Sequence, residues 1–468
     1  MTLLKAVSLF SNCGAGDVGY RGAGFRFEVM AELDPRRLEV CLLNHPGAVG
    51  VAGDLRRTWR KVVAEYRSRE GDARPALLCA CPPCQGMSSA RSGKGHHHDA
   101  DAGSRDDRNL LVTVIAKVAK NLKPAIIVVE NVHAFLTRRV RHPRDNHPIS
   151  AANFLISALA NDYVVYPFIS DLADFGIPQT RVRAFLTFVR HDVDGLGMLK
   201  RRDEAPYPIP THDADAGGEM PITLYEALRS FGLPPLNAKR AATASVDGFN
   251  GMHSVPIWDE RTYAMIRAIP EGSGRSAWQN EECHQCGHVK VSTKAARCPR
   301  CNGPLLRPVF RNRNGSYRLV NGFKTSYRRM KGNVPASTIT TASGHLGSDY
   351  TIHPRQTRLL SPLECALLQT FPDNFKWGDA LAEWGSTNVR DMIGEAVPPA
   401  FTALHGRVLA GIVRESERGN RLPITDDRMK RAWKRLVKSA SNDGRKNPRR
   451  AEAKQKQNRL DAFAQNET

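Results

Sequence analysis

The chain has 468 residues, 41% of them apolar, enough for two or three domains with sizeable cores, and no apolar run approaches the roughly 20 residues of a membrane span. Lys and Arg number 68 against 47 Asp and Glu; the net charge of +21 points to a polyanionic partner, most often nucleic acid, although a generally basic proteome would give the same excess. The ten cysteines, four of them in paired CxxC units, fit metal binding and catalysis in a reducing compartment better than a disulfide framework, and the first ten residues lack the form of a signal peptide. The expectation is a cytoplasmic protein with no membrane association.

In chain order, Ala6–Phe10 reads as a short buried strand. It meets the turn Asn12-Cys13-Gly14-Ala15-Gly16, and a helix follows. Phe27–Ala31 is a second strand, closed by Glu32. Pro75–Ala80 is the end of a third buried strand and runs directly into Pro82-Pro83-Cys84-Gln85. A helix over Leu110–Leu122 leads to the β-branched strand Ala125–Val129, and a late strand covers Ala184–Val189. This alternation predicts a doubly wound, mostly parallel α/β sheet with helices on both faces. Near residue 200 the texture changes: Pro206, Pro208, Pro210, Pro221, Pro234 and Pro235 break any long period, and short strands and loops run to about residue 350. Helical pattern returns at Pro362–Gln369, and a last helix covers Pro399–Ile412. Beyond it lies a tail, part helix and part disordered. Between Arg428 and Arg459 it carries 13 Lys or Arg against 2 Asp or Glu. Nothing in the chain repeats.

The chemistry gathers at strand ends. Two prolines stiffen the backbone before Cys84, which suits a nucleophile at the carboxyl end of a sheet strand; a buried structural cysteine is the alternative. The turn at residues 10–16 leaves room for a nucleoside cofactor, Glu32 is placed to take ribose hydroxyls, and Asp54 to accept from an adenine amino group. No Lys-Ser or Lys-Thr follows the turn, so it is not an ATP site. Glu130, at the mouth of a buried strand, is either a desolvated proton donor or a carboxylate bonded to backbone amides. Gln179, Arg181 and Arg183 alternate along an extended segment and would share a face; two arginines there suit an anion or a pyrimidine carbonyl, and singly each would be a salt bridge. Three consecutive histidines, His96–His98, form either a metal site or a solvated polar loop.

The middle region holds Cys283-His284-Gln285-Cys286 and Cys298-Pro299-Arg300-Cys301, with eleven residues between the pairs. Four thiolates at this spacing suit a tetrahedral structural zinc and leave no open position for catalysis. After them come Arg307, Arg311, Arg313, Arg318, Lys324, Arg328, Arg329 and Lys331, interleaved with Phe310, Tyr317, Phe323 and Tyr327, a mixture suited to phosphate and groove contacts.

These blocks resemble, in order, those of the DNA (cytosine-5) methyltransferases: Leu9-Phe10 through Gly16, Glu32-Leu33-Asp34, Gly53-Asp54, Pro82 through Ser88, Glu130-Asn131-Val132, Gln179 through Arg183, Arg358 through Glu364 with Leu368 through Pro372, and Gly394 through Pro399. Thr338–Thr341 match the family's threonine segment. The family usually has Gly at Asn12 and Asn at Glu395. The resemblance implies a bacterial or phage enzyme, monomeric and nucleoid-associated, that methylates duplex DNA using S-adenosyl-L-methionine, either with a cognate restriction endonuclease as a functional partner or as an orphan or phage enzyme. It implies Cys84 as nucleophile, with Glu130, Arg181, Arg183 and Gln179 around the base. Phe10, Cys13, Gly14, Glu32, Asp54, Leu55, Pro83 and Val397 would hold the cofactor. The loop holding His96–His98 would close over DNA. Methylases of exocyclic amines carry an aromatic residue where Cys84 stands, which favours the ring carbon. The implied domains are a catalytic segment over 1–205, a zinc-stapled recognition domain over 206–349, a returning catalytic segment over 350–412 whose helix packs beside the cofactor turn, and a tail over 413–468. Two other readings stand beside this one: a tRNA cytosine methyltransferase, and a zinc-ribbon DNA-binding protein that has lost catalysis.

Overall fold

The computed structural model describes residues 3–83, 107–143, 146–322, 325–348, 350–415 and 419–442. Cys84 through Ser88, the loop with His96–His98, Phe323, Lys324 and the end of the basic tail lie outside the described residues. By packing, the chain forms two compact units: 1–171 with 182–210 and 399–468, and 172–181 with 211–398.

In chain order the first unit holds β1 (Leu4–Leu9), α1 (Ala15–Gly22), β2 (Phe25–Glu32), α2 (Pro35–Asn44), β3 (Val49–Ala52), α3 (Leu55–Glu70), β4 (Leu77–Ala80), α4 (Val112–Leu122) and β5 (Ile126–Asn131). A small hairpin follows, β6 (Arg139–Arg141) with β7 (Pro148–Ser150), then α5 (Ala151–Leu159), β8 (Tyr163–Asp171), β9 (Val182–Arg190), α6 (Asp194–Arg202) and β10 (Glu204–Ala205). Seven strands make one sheet in the order β3-β2-β1-β4-β5-β9-β8. The first five are parallel; β9 runs antiparallel to both its neighbours. All six residues of β5 are buried, as expected of a β-branched strand covered on both faces.

The second unit is poorer in regular structure. Its elements are α7 (Leu224–Ser230), α8 (Ala241–Ala244), α9 (Glu260–Arg267), the hairpin β11 (Val309–Arg311) and β12 (Tyr317–Leu319), α10 (Pro362–Leu368) and α11 (Ala380–Glu395). Residues 350–398, expected to return to the first domain, lie in this unit. The reason is in their partners: Leu363 N donates to Met252 O, and the buried Arg390 donates to Leu360 O and Ser343 O. Its apolar clusters are small, such as Met265, Ile266, Ile269, Ala277, Leu306, Ile352 and Leu359.

The chain then re-enters the first unit with α12 (Pro399–Val413), β13 (Leu422–Pro423), which pairs with β10, and α13 (Asp427–Asn442). α12 packs on α1 so closely that a Cβ at Gly19 would fall 2.1 Å from Thr402 Oγ1 and 2.2 Å from the Pro399 carbonyl. Thr402 Oγ1 also donates to Gly16 O at 2.6 Å, tying α12 to the residues that follow the first turn. The segment 380–413 has the length and apolar content of a membrane span, but it is two helices separated at residues 396–398, and 67% of its most apolar window is buried. The basic tail does not start as a tail. Met429, Ala432 and Leu436 of α13 are fully buried, and the helix packs on β8 and α5.

Candidate active site

The strand order reverses between β1 and β4, and in open α/β sheets a crevice forms at the carboxyl ends of such strands. Leu9 and Ala80 are paired across those ends. The turn after β1 and the Cys81-Pro82-Pro83 segment after β4 therefore leave the sheet side by side.

The turn is built on positive φ: Phe10 at 59°, Asn12 at 49° and Gly14 at 74°. Asn12 stands at one of these positions, and Asn tolerates the left-handed region better than most side chains. Glu32 closes β2 and reaches back: its carboxylate accepts from Asn12 N at 2.8 Å and Asp34 N at 3.2 Å. Burial raises its pKa. A carboxylate has about four acceptor positions, so these two bonds leave room for ligand hydroxyls, and the donor set fits a nucleoside cofactor. Asp54 caps α3, accepting from Arg56 N at 2.9 Å, and pairs with the Arg56 guanidinium at 2.6 Å; the side-chain bond to Arg56 lowers its pKa. Phe10 and Pro83 are half-buried. Cys13 and Leu55 are core residues, 0% and 3% exposed, and burial pushes the Cys13 thiol up to about 12.

Glu130 ends β5, next to β4, and is 6% exposed. Arg183 Nε lies 3.0 Å from its Oε1, and Cys81 Sγ donates to its Oε2 at 2.7 Å. The carboxylate is thus held on both oxygens, by an ion pair and a thiol rather than by the backbone amides considered from sequence. Asn131 Nδ2 donates to the Pro82 carbonyl at 2.8 Å, which fixes the first proline. Neither Cys81 nor Asn131 was singled out from sequence; a cysteine three residues before the expected nucleophile was the available signal.

Gln179 and Arg181 are buried and Arg183 half-buried, with Thr180 and Val182 exposed between them, the alternation of an extended segment. Their partners differ: Arg183 meets Glu130, whereas Arg181 and Gln179 bond within the second unit. Arg181 is 2% exposed and donates to the carbonyls of Ile339 (3.0 Å), Gly394 (3.0 Å) and Ala396 (2.8 Å). Gln179 is fully buried; it donates to Leu368 O and Gln369 Oε1 and accepts from Ile339 N. Both residues brace the threonine segment, where loop carbonyls have no sheet ladder to bond them. Val397 is half-buried in the loop after α11.

The four middle cysteines converge, with all Sγ atoms within 4.8 Å of one another. Cys283–Cys301 and Cys286–Cys298 are each 3.6 Å apart. A tetrahedral Zn with bonds of about 2.3 Å has S···S edges of about 3.8 Å, so the donor set fits that ion. Arg307, read from sequence as a DNA contact, is fully buried here. It donates to the carbonyls of Asn280 (2.8 Å), Val291 (3.0 Å), Ser292 (2.5 Å) and Ala295 (2.7 Å). Arg329 is likewise buried on the carbonyls of Ile266, Ile269, His353 and Gln356. Arg311, Arg313, Arg318 and Lys331 are exposed.

The family model for C-5 cytosine-specific DNA methylase matches residues 4–407. The type II methyltransferase M1.HgaI of Avibacterium volantium is 27% identical over 413 residues, 85% of this chain and 95% of its own length. M.NgoFVII of Neisseria gonorrhoeae, another type II methyltransferase, is 25% identical over 401 residues, 84% of this chain and 83% of that protein. Among solved structures, an E. coli prophage-encoded chain described as a DNA modification methyltransferase matches 88% of this chain and 99% of its own at 19% identity and a TM-score of 0.51, a likeness of fold. The chain therefore belongs to the C-5 cytosine-specific DNA methylase family and is a DNA (cytosine-5) methyltransferase.

Proposed function

We propose that this enzyme methylates carbon 5 of a cytosine flipped out of a short, specific duplex site, through a covalent bond to Cys84. The observation that carries the reading is Glu130, gripped by Arg183 and Cys81 beside the segment that leads into Cys84. Cytosine carbon 5 is a poor nucleophile. A Cys84 thiolate adding to carbon 6 would make the ring enamine-like, while Glu130 protonates or hydrogen-bonds ring nitrogen 3 and takes up the charge that develops. Arg183, rather than Arg181, is the cation placed to orient that carboxylate and meet the ring carbonyl. S-adenosyl-L-methionine supplies an electrophilic methyl group when bound, and Glu32 and the turn at residues 10–14 are the residues that would hold it. Loss of the carbon 5 proton and expulsion of Cys84 restore the thiolate. The base must leave the stack to be reached, at a cost of roughly a few kcal/mol.

The second unit carries the recognition surface in this reading, with zinc at Cys283, Cys286, Cys298 and Cys301 as a structural ion. The type II names of the relatives support a restriction-modification setting, in which methylation would protect DNA from a partner endonuclease.

The test is covalent trapping. Duplex DNA carrying 5-fluorocytosine, incubated with the methyl donor, should give a stable adduct whose peptide map ends at Cys84. Cys84→Ser should form no adduct and lose methyl transfer while still binding DNA. Serine-variant activity near wild type, or an adduct formed with tRNA in preference to duplex DNA, would overturn the assignment.

A further inference from the structure

α13 presents two faces. Met429, Ala432, Leu436 and Ser439 face the protein and are buried, whereas Arg431, Lys434, Arg435 and Lys438 are exposed at spacings i, i+3, i+4 and i+7. Those four cations lie along one stripe of the helix, where like charges repel at these separations. The helix offers little relief: its first-turn Asp427 is 3.8 Å from Lys430, and among the described residues no carboxylate pairs with the stripe. A helix that keeps four mutually repelling cations on its solvent face is built to meet negative charge.

The stripe also has an address. α13 packs on β8, α5 and the short turn His133–Leu136, which directly follows Glu130-Asn131-Val132. His133 is exposed there. Desolvation against the turn first, and then the charges of Arg435 and Arg183, hold its imidazole below the usual value. Arg183 in turn is the partner of Glu130. The cationic face of α13 is thus carried by a helix that packs on the turn directly after the strand end holding Glu130.

We propose that the Arg431–Lys434–Arg435–Lys438 face of α13 binds the phosphate backbone of duplex DNA beside the target cytosine. The inference rests on the duplex substrate proposed above. Seven residues of helix span about 10 Å, and phosphates along one strand rise about 3.4 Å each, so the face meets about three of them. The surface is positional and carries no base readout, so it would strengthen binding to any duplex sequence while keeping the strand in register with Glu130.

The experiment neutralises the face in the full chain: Arg431→Gln, Lys434→Gln, Arg435→Gln and Lys438→Gln together. A control of equal charge change on other exposed helix positions carries Arg57→Gln, Lys61→Gln, Lys117→Gln and Lys120→Gln. A second variant exchanges Lys and Arg at the four α13 positions and keeps the charge. Binding to a specific duplex is measured from low to high salt, with thermal melting as the folding check. Each lost phosphate contact should reduce the slope of log K against log salt by about 0.9, so the α13 variant should lose about 2 to 3 from the slope. Its affinity should fall at least about tenfold at low salt and its KM for DNA should rise, with kcat within about twofold. The control and the Lys/Arg exchange should keep the wild-type slope. An unchanged slope in the α13 variant, an equal loss in the control, or a loss seen with tRNA and not with duplex DNA overturns the inference. Failure of the underlying reading would look different: the wild-type protein itself would then form no adduct with 5-fluorocytosine DNA.

Discussion

The two units of this protein are held together by different forces. The first is a sheet whose core is continuous and apolar, from Val7 and Leu9 through Ile127 and Val129 to Leu186 and Phe188. Its backbone polar groups are absorbed by the strand ladders. The second has short helices, one small hairpin and scattered apolar clusters. Loop carbonyls there need donors, and buried arginines supply them: Arg181, Arg307, Arg329 and Arg390 each donate to two or more carbonyls. Arg brings five N–H donors on one rigid plane and serves this purpose better than any other side chain. Regular structure spreads stability over many apolar residues; the loop-built unit concentrates it in a few charged ones and in the four converging thiols.

The largest effect should follow removal of the zinc proposed at Cys283, Cys286, Cys298 and Cys301. Structural zinc contributes about 10–16 kcal/mol in zinc-finger peptides, far more than the small cluster of Cys283, Val291, Cys298 and Leu305 can replace. Chelation, or Cys298→Ser, should expose residues 281–320 to hydrogen exchange and weaken DNA binding while β1, β4 and β5 keep full protection. Elemental analysis should give one zinc per chain. Equal protection with and without metal would show that the second unit does not depend on this staple.

Next comes Arg307→Met, which leaves four carbonyls, those of the buried Asn280 and Val291 among them, without their donor. A loss of about 3 kcal/mol is expected in the second unit. Ile127→Ala in the first unit should cost a similar amount, about 2–5 kcal/mol, by leaving a cavity. The two differ in rescue. Ile127→Val should recover most of the stability, whereas Arg307→Lys should recover little, since one ammonium cannot reach four carbonyls in a plane. Chemical denaturation followed by hydrogen exchange in each unit measures both.

Acid should separate the units by a smaller margin. Burial pulls His45 down to about 4 and His405 down to about 3 in the first unit. In the second, burial and then the Arg358 charge pull His353 down to about 3. Each imidazole stays neutral when folded, while the unfolded chain takes up a proton below about pH 6.5. Stability is therefore complete above that pH and falls as pH drops toward the folded values, by up to about 1.4 kcal/mol per pH unit for each group. Two such groups stand against one, but Asp17 of the first unit, which burial raises to about 7, takes up its proton in the folded state alone and offsets about one of them, so between pH 6 and 5 the two units lose stability at similar rates and acid separates them only lower. Glu364, which Arg358 holds at about 2 against the opposing effect of burial, adds a loss in the second unit only below about pH 4.5. Exchange rates corrected to a common pH would show whether the two losses match.

How much of this was legible in the sequence divides along the same line. The strands of the first unit follow from apolar runs such as Ile126–Val129, and the strand-end positions of Glu32 and Glu130 follow from them. The antiparallel direction of β9 has no local signature, because strand direction is decided by partners distant in sequence. Arg307 and Arg329 looked like DNA contacts because a buried arginine and a phosphate-binding one are the same letter; only the carbonyls around them distinguish the two. The pairing of Arg183 rather than Arg181 with Glu130 is of this kind too. In α13 the apolar positions Met429, Ala432 and Leu436 were readable at helical spacing but were masked by the charge around them.

The smallest effect should come from Cys81, and it sharpens the contrast most finely, since it removes one bond from the regular unit without disturbing its core. The thiol donates to Glu130 Oε2 while Arg183 holds Oε1. Cys81→Ala would free one oxygen of the carboxylate proposed above to meet ring nitrogen 3. A single hydrogen bond of this kind is worth about 1 kcal/mol, so kcat should fall about fivefold with KM for DNA nearly unchanged. The melting temperature should hold, because Cys81 is only half-buried. Cys81→Ser, which restores a donor, should recover most of the rate. A purely structural role would give a different pattern: both variants would lose thermal stability together and the serine would rescue nothing. If instead alanine and serine both match wild type in kcat across the pH range, Arg183 alone orients Glu130, and the thiol merely fills the space between β4 and β5.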